Sequence, residues 1–245
     1  MAVLRWGTAT AVGPVRAANE DSLLAGRPVF VVADGMGGHA AGQDASRIAV
    51  EVFGRFTGER VTGTEPVLAA VGQANAAILA AAAGDGSRTG MGTTVVGLAL
   101  VEESGVERWL AFNVGDSRIY RLEQGVLEQL SVDHSVVQEL IDAGVVTEAE
   151  RGSHPRSHMV TRVLGTEPAP VADSWLLTPV PGERFLLCSD GLTGDLSDER
   201  LESLLGVAEE PGEVARLLVA AALTAGARDN VTVVVVEVLD ETHPA

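Results

Sequence analysis

The sequence predicts an α+β fold, and three observations carry that prediction. Strand-like apolar runs recur along the 245 residues, helical periodicity is confined to three separate stretches, and several runs follow one another through short turns. The strand-like runs are Leu4–Thr10, Val29–Asp34, Thr94–Val101, Glu107–Val114, Ser117–Leu122, Val126–Leu130, Val171–Leu177, Arg184–Ser189 and Val231–Leu239. Glu123–Gln124–Gly125 suits a hairpin turn, so residues 107–130 read as an antiparallel meander. The first helical stretch, Gln43–Phe56, sets Ala45, Ile48, Ala49, Val52, Phe53 and Phe56 on one face. The second, Pro66–Ala83, begins with proline, stops at Gly84 and carries Val67, Val71, Ala74 and Ile78 at helical spacing. In the third, Pro211–Ala225, residues Val214, Leu217, Leu218, Ala221 and Ala225 fall together. Residues 135–165 read as an irregular insertion over a site, with a short helical piece. No repeat or low-complexity linker interrupts the chain, so one domain over residues 1–245 is expected.

Composition narrows the function. Arg and Lys total 17 against 34 Asp and Glu, a formal charge of −17. Such a chain lacks the basic footprint that nucleic-acid backbones or anionic membranes require. Its acids serve solubility, and a minority is left to bind cations. Cys188 is the only cysteine, which excludes an internal disulfide and points to a reducing compartment. Met1–Ala11 lacks the apolar stretch of a secretory leader, and no apolar run approaches the ~18 residues of a membrane span. A cytoplasmic protein without a membrane segment is expected.

Four aspartates stand where strands end. Val29–Asp34 runs into Gly35–Met36–Gly37–Gly38, where glycines let the backbone approach whatever the aspartate holds. Gly35, Gly37 and Ala40 also fit a dinucleotide fingerprint, but Asp34 would face a pyrophosphate with like charge and the chain lacks alternating βαβ units. Cys188–Ser189–Asp190–Gly191 ends a second strand in the same manner. Arg228–Asp229–Asn230 precedes the strand Val231–Leu239, and Asp116 lies in the turn Asn113–Arg118. Each alone is an ordinary turn aspartate. Together they present oxygen ligands on rigid supports, which hard cations such as Mg²⁺ and Mn²⁺ prefer. Arg16, in Arg16–Ala17–Ala18–Asn19–Glu20–Asp21, offers a planar donor fork suited to phosphate. The alternative is a salt bridge from Arg16 to Glu20 or Asp21.

In order, the motifs are Arg16-x-x-Asn19–Glu20–Asp21, Asp34–Gly35–Met36–Gly37–Gly38, Gly90–Met91–Gly92–Thr93–Thr94, Val114–Gly115–Asp116–Ser117–Arg118, Asp133–His134–Ser135, His154–Pro155 with Thr161–Arg162, Ser189–Asp190–Gly191 and Arg228–Asp229–Asn230–Val231–Thr232. This succession resembles the metal-dependent PPM (type 2C) serine/threonine protein phosphatases in their compact bacterial form, over residues 4–239. The resemblance implies a four-layer sandwich of two antiparallel β-sheets flanked by helices, with a flap at about 136–165. It also implies two core Mn²⁺ or Mg²⁺ ions and a weaker third. Asp34 would bridge the pair, the Gly35 carbonyl would join the second ion, and Asp190 and Asp229 would hold the first. Glu20 and Asp21 would act at the second ion or through its waters, and Asp116, with Asp190, at the third. The implied reaction is hydrolysis of phosphoserine or phosphothreonine by a metal-activated water, with Asp34, Asp190 and Asp229 as the catalytic aspartates and Arg16 binding the phosphate. The implied partners are phosphorylated proteins, among them serine/threonine kinases and their substrates.

Two departures stand out. Met36 occupies the position of a histidine proton donor in animal relatives, and Ser157 and His158 replace residues common in bacterial flaps. His154 and His158 are four apart, but Pro155 and the lack of further ligands make a zinc site poor. Cys188 reads as a buried strand residue, since a cysteine phosphatase needs an arginine where Gly194 stands. The alternative function is a catalytically weak, phosphatase-like sensing or binding module. The intact Asp34, Asp190 and Asp229 argue against it.

Overall fold

The computed structural model describes residues 2–37, 41–207 and 209–239. Gly38 and Ala40 of the glycine-rich run lie outside the described residues. The strands are β1 (Val3–Ala11), β2 (Asp21–Gly26), β3 (Val29–Met36), β4 (Val61–Thr62), β5 (Gly92–Thr93), β6 (Val95–Glu103), β7 (Val106–Val114), β8 (Arg118–Glu123), β9 (Val126–Gln129), β10 (Asp173–Leu177), β11 (Arg184–Cys188) and β12 (Val231–Leu239). The α-helices are α1 (Ala41–Gly54), α2 (Glu65–Gly84), α3 (Val136–Asp142), α4 (Asp190–Thr193), α5 (Asp198–Leu205) and α6 (Pro211–Ala225). One sheet has the order β1-β12-β11-β8-β9 and the other β10-β7-β6-β3-β2, with β4 on β6 and β5 on β3. Pairing is antiparallel except for β4 on β6. The glycine-rich run after β3 leads through α1 to β4, and because β3 runs antiparallel to β6 while β4 runs parallel to it, the parallel βαβ unit that the dinucleotide reading needs at that run is absent.

Strand periodicity explains the layers. In β12, Val231, Val233 and Val235 join the core beneath α5 and α6, while Val234, Val236 and Val238 point the other way into the core between the sheets. In β3, Val29, Val31 and Ala33 pack under α1 and α2, and Phe30 and Val32 face the opposite sheet. Strands apolar on both faces are what a sheet covered on both sides demands. Each fully buried Val, Leu or Phe contributes about 1.5–3 kcal/mol. The result is helix, sheet, sheet, helix.

Differences from expectation have local causes. The expected strand from Val171 begins only at Asp173, because its partner β7 pairs Asn113 with Asp173 and ends one residue later. Helix α2 is long and apolar enough to cross a membrane by length and composition, contrary to the sequence reading. Its Val67, Ala70, Val71, Ala74 and Ile78 are instead buried in the core that α1 and β3 share. The flap carries α3 and a 3₁₀ segment, Glu148–Ser153.

Candidate metal centre

Register alone brings the aspartates to one end of the sandwich. Asp21 lies opposite Asp34 across β2 and β3. One strand further, Val32 faces Val96, and Val95 faces Val114 at the end of β7. The chain then crosses from one sheet to the other through Gly115–Ser117, carrying Asp116. It enters β8 at Arg118, opposite Cys188 of β11, which is itself opposite Val233 of β12. Asp190 leaves the end of β11 and Asp229 precedes the start of β12, so these two meet by the same logic.

Hydrogen bonds hold the carriers. The Thr94 hydroxyl accepts the Asp34 N–H at 3.0 Å, and Thr93 Oγ1 donates to the Asp34 carbonyl at 2.8 Å. Ser189 Oγ donates to Asp21 Oδ2 at 2.8 Å while accepting the Thr232 N–H at 3.0 Å, which stitches the two sheets beside the aspartates. Asn230 fixes the loop before β2. Its Oδ1 accepts the Glu20 N–H at 2.8 Å, and its Nδ2 donates to the carbonyls of Val12 and Ala18 at 2.7 and 2.9 Å. Glycine is required where these pieces touch: a Cβ on Gly191 would sit 2.1 Å from the Asn230 carbonyl oxygen, and one on Gly35 2.1 Å from that of Gly42. Thr93, Thr94, Ser189 and Asn230 belong to the motifs, but the sequence alone assigns them no task. Small hydroxyls and an amide beside each aspartate were the available signal.

The electrostatics are unusual. Burial pushes the Asp21 carboxyl up to about 7 and the Asp116 carboxyl up to about 8, with neighbouring aspartates adding to both. Burial also raises Asp34 well above the carboxylate range, and Asp21, Asp190, Asp116 and Asp229 all reinforce it. Asp190 is raised by burial and by Asp229, and its nearness to Asp34 as a hydrogen-bond partner opposes the rise. Five aspartates therefore share one field. Asp21 Oδ1 and Asp190 Oδ1 are buried and have no hydrogen-bond partner among the described residues. Buried polar atoms are normally paired, so these two oxygens are suited to a cation.

Arg16 stands at the rim, half exposed, and bonds Asp229 Oδ2 at 2.5 Å rather than Glu20 or Asp21. Glu20 is raised mainly by burial, with Arg16 opposing. As they stand, no three carboxylate, imidazole or thiol groups among the described residues are gathered into a cage for an ion. Arg16 holds one of the aspartates that such a cage would use. His158 is exposed on the flap, yet its charge would lower Asp190. Burial pushes the Cys188 thiol up to about 12, which makes it inert as a nucleophile.

The protein phosphatase 2C family pattern matches residues 16–223. This chain belongs to that family. Among its relatives is the serine/threonine protein phosphatase PstP of Mycobacterium tuberculosis, 39% identical over 241 residues, covering 97% of this chain and 46% of PstP. The chain thus spans about half the length of that relative. The serine/threonine phosphatase stp of Listeria monocytogenes is 36% identical over 217 residues, covering 86% of this chain and 84% of stp. Crystal structures agree with the 2C-type fold: that of M. tuberculosis PstP/Ppp superposes with a TM-score of 0.90 at 37% identity, covering 98% of this chain and all of that one. The catalytic domain of PstP in complex with two manganese ions gives 0.88 at the same identity, with the same coverage of both chains.

Proposed function

We propose that this chain is a protein serine/threonine phosphatase that hydrolyses phosphoserine and phosphothreonine with two Mn²⁺ or Mg²⁺ ions. The observation that carries the reading is the cluster of buried aspartates, two of them with an oxygen unpaired among the described residues, beside a half-exposed arginine fork. Relatives named as serine/threonine phosphatases, one crystallised with two manganese ions, support it. Asp34, whose carboxyl all four other aspartates of the cluster raise, would help to hold both ions, and the Gly35 carbonyl would join the second. Asp190 and Asp229 would hold the first, Glu20 and Asp21 the second, and Asp116 with Asp190 a weaker third. Such ions supply Lewis acidity and an activated water when bound.

The protein's own residues do the remaining work. Thr93 and Thr94 fix Asp34, and Ser189 orients Asp21 so that its second oxygen stays available. Arg16 releases Asp229 and turns its fork to the phosphoryl oxygens, taking up their charge. Met36 has no proton to give, so the leaving oxygen receives its proton from solvent or another group. Phosphorylated proteins, including serine/threonine kinases and their substrates, are the proposed partners. The buried free thiol of Cys188 fits a reducing, cytoplasmic setting. The test is hydrolysis of p-nitrophenyl phosphate and of a phosphothreonine peptide after chelation, with and without added Mn²⁺. Activity should vanish and return with the ion. Full activity in a preparation shown metal-free by elemental analysis overturns the reading, and no turnover with Mn²⁺ bound favours a sensing module.

A further inference from the structure

The motif Asp133–His134–Ser135 receives no ligand or phosphate role from the sequence, yet each residue grips a different part of the molecule. Asp133 accepts the Arg118 fork at 2.8 and 2.6 Å and Arg151 of the flap at 3.1 Å. Ser135 caps α3, its Oγ accepting the Gln138 N–H at 3.2 Å, and pairs with Val160 at the far side of the flap. His134, buried between them, holds Gly115. Its own N–H donates to the Gly115 carbonyl at 2.9 Å, which also receives Asn113 Nδ2 at 3.0 Å. The Gly115 N–H donates to His134 Nδ1 at 3.0 Å.

That last bond assigns the tautomer. A peptide N–H can only donate, so Nδ1 is the unprotonated nitrogen and the ring proton sits on Nε2, which faces Asp173 Oδ2 at 3.2 Å. Asp173 is held in turn by Arg162 at 2.7 Å, and the His134 carbonyl accepts the Thr161 N–H at 2.8 Å. Gly115 has φ +117°, and a Cβ there would lie 2.5 Å from Thr94 Cγ2, so the residue has no side chain with which to anchor itself. Asp116 follows immediately.

We infer that His134 is a positioning residue for Asp116: its imidazole, with the proton fixed by Asp173, clamps the Gly115 peptide and sets the direction of the next carboxylate. Through Thr161 and Arg162 the same residue ties that direction to the seat of the flap. The consequence for cation binding rests on the reading of Asp116 as a ligand of the weaker ion; the clamp itself does not.

Two variants separate the clamp from mere packing. Asparagine puts an amide oxygen near the place of Nδ1, whereas glutamine reaches only the place of Nε2. His134→Asn should keep the Gly115 amide protected from hydrogen exchange, read by NMR, and His134→Gln should speed its exchange about tenfold, as loss of one buried hydrogen bond implies. In a Mn²⁺ titration followed by calorimetry, the weakest ion should bind about tenfold less tightly to the Gln variant, with the tight ions unchanged and the Asn variant close to wild type. Equal behaviour of the two variants at Gly115, whether both protected or both exposed, overturns the inference. If His134→Gln does not fold, Asp173→Ala leaves the imidazole in place but frees its proton; unchanged Gly115 exchange there overturns it equally. Should Gly115 respond as expected while wild type binds no third ion, the clamp stands and the ligand reading of Asp116 falls.

Discussion

At the scale of single residues, Arg16 is caught between two duties. Its bond to Asp229 at 2.5 Å means that it would compete with a cation bound at that carboxylate. Arg16→Ala should therefore leave metal affinity unchanged or slightly tighter. It should cost about 10- to 100-fold in kcat/KM, because hydrogen bonds to charged groups contribute about 1.5–3 kcal/mol. The loss should be alike for phosphopeptide and p-nitrophenyl phosphate, and Arg16→Lys should recover only part of it. The inhibition constant of free phosphate checks this: an unchanged value in Arg16→Ala means that the arginine merely steadies the loop. Asp34 and Asp116 should part company in the same titrations. Asp34→Asn removes the carboxylate central to the cluster and should lose metal and nearly all activity. Asp116→Ala should lower turnover with the tight pair still bound, and loss of that pair would show the ligand assignment to be wrong. The aspartates at 34 and 116 were legible in the sequence because each sits next to glycine or serine near the end of a strand-like run. The Arg16 partner was not, since Asp229 is brought in from the far end of the chain.

At the scale of elements, the joint between β11, α4 and β12 aligns Asp190 with Asp229. Gly191 allows it, because a Cβ would strike the Asn230 carbonyl oxygen, a backbone atom that cannot swing aside, at 2.1 Å. Gly191→Ala should cost on the order of 1–3 kcal/mol in stability and weaken Mn²⁺ binding although every carboxylate remains. Gly72→Ala, in α2 with open space around it, is the control and should be neutral or stabilising. Wild-type manganese affinity in Gly191→Ala would mean that this contact does not align the aspartates. Among the elements that escaped the sequence reading, β2 and α5 did so for different reasons. Strand β2, Asp21–Gly26, has no β-branched residue, and its extended form comes from pairing with β3. Helix α5 did announce itself: Ser197 caps Arg200 N–H at 3.4 Å, and Leu201, Leu204 and Leu205 recur at helical spacing.

At the scale of the whole molecule, the aspartate cluster couples stability to pH and to metal. Asp21, Asp34, Asp116 and Asp190 have folded pKa values above those of the unfolded chain. The folded state therefore binds more protons, and its advantage is complete below the ordinary carboxylate range near 4 and lost as pH rises through about 7 and 8, the values for Asp21 and Asp116. Metal-free protein should melt on the order of 10 °C lower at pH 8 than at pH 5, by the usual size scaling. Mn²⁺ should raise the melting temperature more at pH 8, where it replaces the missing protons. Asp21→Asn should flatten the metal-free trend. Calorimetry with chelator at both pH values checks all three, and metal-free protein that is more stable at pH 8 would contradict the cluster's electrostatics.

By itself the sequence determined the alternation of strands and helices, the full extent of α6 and β12, and the identity of the aspartates and Arg16. Those are local matters: periodicity, turn chemistry and the residue types that hard cations and phosphate require are all written in neighbouring positions. Only the tertiary structure decided which strands lie side by side, and hence that residues 21, 34, 116, 190 and 229 share one field. It likewise decided that Arg16 rests on Asp229 and that His134 holds Gly115. Those depend on register across strands far apart in the chain, where a shift of one residue turns every side chain to the other face.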